Sequence, residues 1–190
     1  MREICYRCMQ RTVQNGVCLY CHTPAVRRHP EKDANLLPLG TRLDNGNIIV
    51  GDKLGAGGFG ITYIAYDSTY RLIALKEFFP SAYVTRQGRN VVPHSHVQQE
   101  FNKAKRDFDR EVRQLKHLIG HPNIVQVLFQ IEENNTIYYG MELLQGETLK
   151  QYIARNGAMS THKAYEMLEP IMNALIYAHH RHCIHRDVAP

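Results

Sequence analysis

Leu54-Gly55-Ala56-Gly57-Gly58-Phe59-Gly60-Ile61-Thr62-Tyr63-Ile64-Ala65-Tyr66 decides the fold, because a glycine loop runs straight into residues that favour a strand. Glycines have no Cβ, so the backbone amides of such a loop can come close to phosphate oxygens. Asn47-Ile48-Ile49-Val50 reads as the strand that enters the loop, and Ile61 to Tyr66 as the strand that leaves it. A dinucleotide-binding Rossmann loop also uses G-x-G-x-x-G, and Glu77 stands at about the acidic spacing that fold requires. That loop must open a helix, however, and β-branched and aromatic residues follow here.

Outward from the loop the pattern stays β and then changes period. Asp67-Ser68-Thr69 is a turn and Leu72 to Phe78 a third strand, containing Ile73-Ala74-Leu75-Lys76. From about Gln98 to Leu118, Phe101, Ala104, Phe108, Val112, Leu115 and Leu118 form one apolar stripe at helical spacing. Strands over Ile124–Glu132 and Thr136–Leu143 follow, joined by a turn at Glu133-Asn134-Asn135. A short helix over Thr148–Arg155 and a longer one over Thr161–His182 complete the pattern. There is no internal repeat or low-complexity tract.

Four of the five cysteines lie in the first 21 residues, as Cys5-x-x-Cys8 and Cys18-x-x-Cys21. Each such turn points two thiolates at one tetrahedral ion, and the second pair completes a four-thiolate shell. Asn15-Gly16 between them is a strong hairpin signal. So small a segment cannot bury enough apolar surface to fold alone, so metal would supply its folding free energy. Zinc is the expected ion; a rubredoxin-like iron site uses the same spacing, and two disulfides are the remaining reading. Cys183 reads as a small buried hydrophobe. His179, His180, His182 and His185 cluster where a helix runs into a loop and read as helix-end residues, not metal ligands.

Composition narrows the class. With 44% hydrophobic residues in 190 the chain can build an ordinary core, and no apolar run reaches the roughly 20 residues that span a bilayer. No apolar signal core stands at the N-terminus, so cytoplasm is the expected location. The net charge of +5 arises from 23 basic and 18 acidic residues in interspersed order, which reads as a solvated surface. Residues 1–35 hold six Arg/Lys against three Asp/Glu, a weak basic patch that leaves nucleic acid an unfavoured partner.

The glycine loop, Ile73-Ala74-Leu75-Lys76, His121-Pro122-Asn123-Ile124-Val125 and His185-Arg186-Asp187, in this order, resemble a bacterial serine/threonine-type protein kinase over about residues 37–190. Cys5 to Cys21 resembles the short zinc ribbon that a subset of that family carries. The resemblance implies an α+β fold: a kinase small lobe with a five-stranded antiparallel sheet and one helix, the first helices of the large lobe, and a preceding zinc ribbon. The domains it implies are a ribbon at 1–22, a linker at 23–40, an ATP-binding small lobe at 41–143, and a hinge with the start of the large lobe at 144–190. The activity it implies is transfer of the ATP γ-phosphoryl group, with Mg2+, to protein hydroxyls.

Residue roles follow from the same resemblance. Leu54, Gly55, Ala56, Gly57, Gly58, Phe59, Gly60, Thr62 and Ala74 would surround ATP, and Thr62 replaces the usual valine against the adenine. Lys76 would hold the α- and β-phosphates and needs an acidic partner, Glu111, with Asp107 as the fallback. One extra residue near Gly120 departs from the commonest spacing. Met141 would be the gatekeeper, and backbone groups of Glu142 and Leu144 would bind the adenine edge. Asp187 would accept the proton of the substrate hydroxyl, with His185 and Arg186 as scaffolding.

Two departures bear on activity. Ala189 stands where serine/threonine kinases usually place lysine, although Pro190 fits their pattern. The magnesium-binding asparagine is expected at position 192, and the metal-binding Asp-Phe-Gly and activation segment later still, so the 190 residues read as a partial chain that is inactive alone. A competing reading is a non-catalytic nucleotide-binding docking module in which the ribbon recruits an unidentified partner. A third is a ribbon that binds nucleic acid.

Overall fold

The computed structural model describes residues 3–25, 34–185 and 188, and Asp187 therefore lies outside the described residues. The chain divides into two compact units, one of Met1–Val112 with Val127–Leu143, the other of Arg113–Gln126 with Leu144–Pro190.

The first unit begins with the cysteine ribbon. β1 (Val13–Gln14) and β2 (Val17–Cys18) pair antiparallel across Asn15-Gly16, and both turn residues have positive φ, at 50° and 76°. Asparagine and glycine are the residues that tolerate this, which is why the hairpin was legible. Residues 34–40 end the stretch read as a linker, yet they pack on the lobe. Leu36 and Leu37 are buried, and Leu37 N donates to Tyr63 Oη at 3.1 Å.

The main sheet has six strands in the order β3-β4-β5-β6-β10-β9: β3 (Arg42–Leu43), β4 (Ile48–Gly57), β5 (Gly60–Tyr66), β6 (Leu72–Phe78), β9 (Val127–Glu133) and β10 (Thr136–Glu142). All its pairings are antiparallel. The five expected strands are present, and the two-residue β3 adds an edge. The Asp67 carboxylate closes the β5–β6 turn by accepting from the Thr69 amide and hydroxyl and from Arg71 N and Nε. Asn134 and Asn135, both at positive φ, close the β9–β10 turn.

A second hairpin, β7 (Val84–Gln87) and β8 (Asn90–Pro93), stands between β6 and the helix and was not anticipated. It leans on the β9–β10 turn, where Val91 N donates to Asn134 O and Asn135 Nδ2 to Val91 O. The helix α1 (Gln98–Lys116) then buries Phe101, Phe108 and Val112, three residues of the expected stripe. Its rings pack on the sheet, with Phe108 5.1 Å from Phe78 and 5.6 Å from Tyr139 between centroids.

In the second unit, α2 (Leu149–Asn156) starts at Thr148, which forms a capping box with Gln151. α3 (Thr161–His180) starts at Ser160, whose hydroxyl accepts from Lys163 N. No helix among the described residues is long and apolar enough to cross a membrane.

Candidate functional site

The glycines of the loop divide into two kinds. A Cβ at Gly60 would meet Glu77 O at 2.5 Å, so glycine there is demanded by close strand packing. A Cβ at Gly55, Gly57 or Gly58 would meet nothing within 4 Å, so packing within the chain does not explain those three. Their common property is a bare backbone open to an approaching group, as phosphate requires. Gly57 pairs with Gly60, leaving Gly58 and the exposed Phe59 at the hairpin tip. β5 follows as a strand, which excludes the Rossmann arrangement.

Register brings the other sheet residues together. Thr62 faces Lys76 across β5–β6, and Lys76 faces Tyr139 across β6–β10. Ile64, Ala74 and Met141 form the parallel row two residues along. Residues two apart on a strand share a face, so Thr62, Ala74, Lys76 and Met141 lie on one side of the sheet. Leu54 precedes the loop with half its surface exposed, and Glu142 ends β10. Leu144 belongs to the second unit, where it is exposed.

Lys76 makes no ion pair with Glu111 among the described residues. Its Nζ lies 5.9 Å from the Phe108 ring centroid and 5.8 Å from that of Tyr139, within cation–π range. Glu111 is nonetheless close enough to act on Tyr139: burial, with the Glu111 charge added, pushes that phenol up to about 12. Asp107 is held by Arg110 at 3.3 Å on the exposed face of α1.

On the opposite face of β6 lies a polar hub that sequence reasoning missed. Glu77 is fully buried, and its Oε2 accepts from Arg86 at 2.6 Å and from the Tyr63 hydroxyl at 3.1 Å. Arg86 also donates to Asn35 O and Arg89 O, and its guanidinium stacks 4.7 Å from the Phe79 centroid. Burial drives the Glu77 carboxyl above its ordinary range, against the opposing pull of Arg86 and the two tyrosines Tyr138 and Tyr63. The same burial, with Glu77 beside them, raises the phenols of Tyr63 and Tyr138. The signal that could have found this hub is alternation: Glu77 falls in phase with the core residues Ile73 and Leu75.

The four ribbon cysteines converge. Their Sγ atoms all lie within 4.8 Å of one another, with Cys5–Cys21 at 3.7 Å and Cys8–Cys18 at 3.6 Å. Four sulfurs at about 2.3 Å from one ion stand about 3.8 Å apart along a tetrahedral edge, and these separations fit. They are far too long for disulfides, and all four thiols are free. The two turns repeat each other: Cys5 N donates to Gln10 O and Cys18 N to Thr23 O, while Met9 N donates to Cys5 O and His22 N to Cys18 O. Met9 and His22 accordingly share positive φ, at 60° and 54°. Amides of Arg7 and Cys8 reach Cys5, and those of Tyr20 and Cys21 reach Cys18. Burial pushes the Cys18 thiol up, but the Cys21 amide and Thr12 hydroxyl outweigh it and bring it to about 6, and Cys21 is lowered as well, whereas burial raises Cys5 and Cys8. Such donors spread the negative charge of a thiolate shell, so the donor set suits a tetrahedral, thiolate-binding ion.

Residues 48–190 match the family model described as Protein kinase domain. The chain is 38% identical over 89 residues to the serine/threonine-protein kinase PrkC of Bacillus subtilis, covering 47% of this chain and 14% of the relative. It is 31% identical over 137 residues to serine/threonine-protein kinase B of Synechocystis, covering 72% of this chain and 22% of that one. Among solved structures, the apo form of PpkA-294 superposes with a TM-score of 0.74 at 31% identity, covering 82% of this chain and 56% of that one. The chain thus spans less than two thirds of each of these relatives. A strand–glycine loop–strand with Lys76 on the next strand, inside a match that begins at β4, makes this chain a member of the protein kinase family.

Proposed function

We propose that the chain carries the ATP-binding part of a protein kinase that transfers the γ-phosphoryl group of ATP to serine or threonine hydroxyls of protein substrates. The observation that carries this reading is the contrast among the loop glycines: Gly60 closes on Glu77 O beside Lys76, while Gly55, Gly57 and Gly58 present bare backbone. Amides of that loop would hold phosphate oxygens, and the Lys76 ammonium would neutralise the α- and β-phosphates after leaving its aromatic neighbours. Glu111, on the helix that bears Phe108, is the carboxylate that would then fix it. Leu54, Thr62 and Ala74 would line the adenine, Met141 would limit the depth of that pocket, and backbone groups of Glu142 and Leu144 would meet its polar edge. Asp187 would take the proton of the attacking hydroxyl and aim its oxygen in line.

Magnesium accompanies ATP in kinases generally and neutralises phosphate charge; none of the described residues is assigned to hold it. Cys5, Cys8, Cys18 and Cys21 would hold zinc in a ribbon, whose chemistry is structural, with iron as the alternative that metal analysis distinguishes. Domain limits at 1–22, 23–40, 41–143 and 144–190 belong to the same proposal, as does a cytoplasmic setting.

The test is phosphoryl transfer from labelled ATP to a protein acceptor by the intact protein, with Lys76→Met and Asp187→Asn as controls. Loss of a positioned general base at Asp187 costs about 10²-fold or more, and loss of a charge-stabilising group at Lys76 about 10²–10³-fold, so each variant should fall at least about 10²-fold while keeping its fold. The missing Lys76–Glu111 pair favours a second reading, a non-catalytic nucleotide-binding module. Under it the wild-type protein transfers no phosphate, and Lys76→Met leaves the biological effect unchanged.

A further inference from the structure

The first cysteine turn faces two ways. Its thiols, on Cys5 and Cys8, point to the candidate metal centre. Its Tyr6 carbonyl and Met9 side chain point instead to β4, the strand that becomes the glycine loop. The β4–β5 register shifts between Val50 and Lys53. At that irregularity the ribbon meets the strand: Asp52 N donates to Tyr6 O at 2.8 Å.

Beside that bond Met9 is fully buried, clustered with Ile64 and Tyr66 and packed by Ile49, Leu72 and Leu143. Ile64 pairs directly with Ala74, and Leu143 follows Glu142 at the end of β10, so the plug adjoins the row assigned to adenine. Glycine at position 51 makes the approach possible. A Cβ there would stand 2.5 Å from Met9 Sδ and 2.6 Å from Tyr6 O. Gly51 has no positive φ that would call for glycine, so close packing accounts for the residue: the ribbon atoms, and Ile64 Cγ2 of the neighbouring strand at 2.9 Å. A Cβ on Gly40 would likewise strike the Tyr6 ring at 2.8 Å, although its φ of 76° calls for glycine independently. Arg11 adds a stacking contact, 4.8 Å above the Tyr70 ring.

We infer that Tyr6 and Met9 are positioning residues for nucleotide binding: the metal-organised turn completes β4 at Gly51–Asp52 and thereby sets the strand leading into Leu54–Gly60. The ribbon is then a strut of the nucleotide lobe, not a tethered recruiting module, and its metal content and its ATP affinity are coupled. This rests on the readings that the four cysteines hold zinc and the glycine loop holds ATP. A turn of this size has little apolar core of its own, so removing the ion lets Tyr6 and Met9 leave the strand.

The experiment measures zinc content, hydrogen exchange over residues 48–57, and ATP affinity on the intact protein. It uses the wild type with and without zinc, together with Gly51→Val, Met9→Ser and Met9→Leu. Gly51→Val and Met9→Ser should keep their zinc, yet lose exchange protection on β4 and bind ATP at least about fivefold more weakly. In turnover, KM for ATP should rise more than kcat falls, and Met9→Leu should restore both affinity and protection. Stripping zinc should weaken the wild type to the same degree and leave Gly51→Val little changed. Unchanged ATP affinity and exchange in the zinc-free wild type would overturn the inference. A wild type that takes up no zinc refutes the metal reading, and one that takes up zinc but binds no ATP refutes the kinase reading; the inference falls with either. Should Met9→Ser fail to fold, the wild type with and without zinc decides, because that comparison changes no residue of the ribbon or of the strand.

Discussion

Arg86→Met tests whether the hub under Lys76 is an ion pair in an apolar setting. Glu77 is fully buried and the Arg86 side chain is 2% exposed, joined at 2.6 Å. The Glu77 carboxylate depends mainly on what Oε2 receives from Arg86 and Tyr63, with the Tyr138 hydroxyl beside it. Removing one partner of a buried pair costs about 3–5 kcal/mol, because the other charge is left uncompensated. For a chain of this size that corresponds to a melting point lower by about 6–20 °C. Burial already holds the Glu77 carboxyl above its ordinary value of 4.5, and Arg86 opposes the rise. Without Arg86 the rise is larger, so the folded state keeps a proton that the unfolded chain releases. Stability from such a group is fully present below 4.5 and lost as pH climbs through the folded value. The deficit of Arg86→Met should therefore be small in acid and grow toward neutrality. Adding Glu77→Gln removes the stranded charge and should recover about 0.5–3 kcal/mol as coupling. Urea denaturation of the two single variants and the double variant, across that pH range, reads both quantities. A deficit independent of pH, with additive single effects, would refute the ion-pair argument and leave only lost packing on Phe79.

Two further outcomes bear on other parts of the chain. Cys18→Ser should abolish stoichiometric zinc binding and expose the ribbon to proteolysis, since metal supplies most of its folding free energy; retained zinc by metal analysis would contradict the four-thiolate shell. Thr148→Ala removes the hydroxyl that accepts from Gln151 N at 3.2 Å and should destabilise α2 by about 0.5–2 kcal/mol, seen as faster amide exchange over Leu149–Asn156.

Much of what depends on neighbours along the chain was legible beforehand, although the local β7–β8 hairpin was not. Alternation over Ile61–Tyr66, the helical stripe of Phe101, Phe108 and Val112, the turns at Asn15-Gly16 and Asn134-Asn135, and the paired cysteines all express local periodicity or local backbone preference. Tertiary structure decided the rest, through contacts between residues far apart in sequence. Nothing in the local pattern pairs Glu77 with Arg86; the β7–β8 hairpin brings Arg86 to β6, where the two desolvate together. Lys76 reads as the partner of Glu111, but Phe108 and Tyr139 surround its ammonium because α1 seats its rings on that face of the sheet. Gly51 and Met9 carry no signal apart. Glycine at one position and methionine at the other acquire meaning only when the ribbon lies on β4, because a close approach is a property of two surfaces and neither sequence segment contains it.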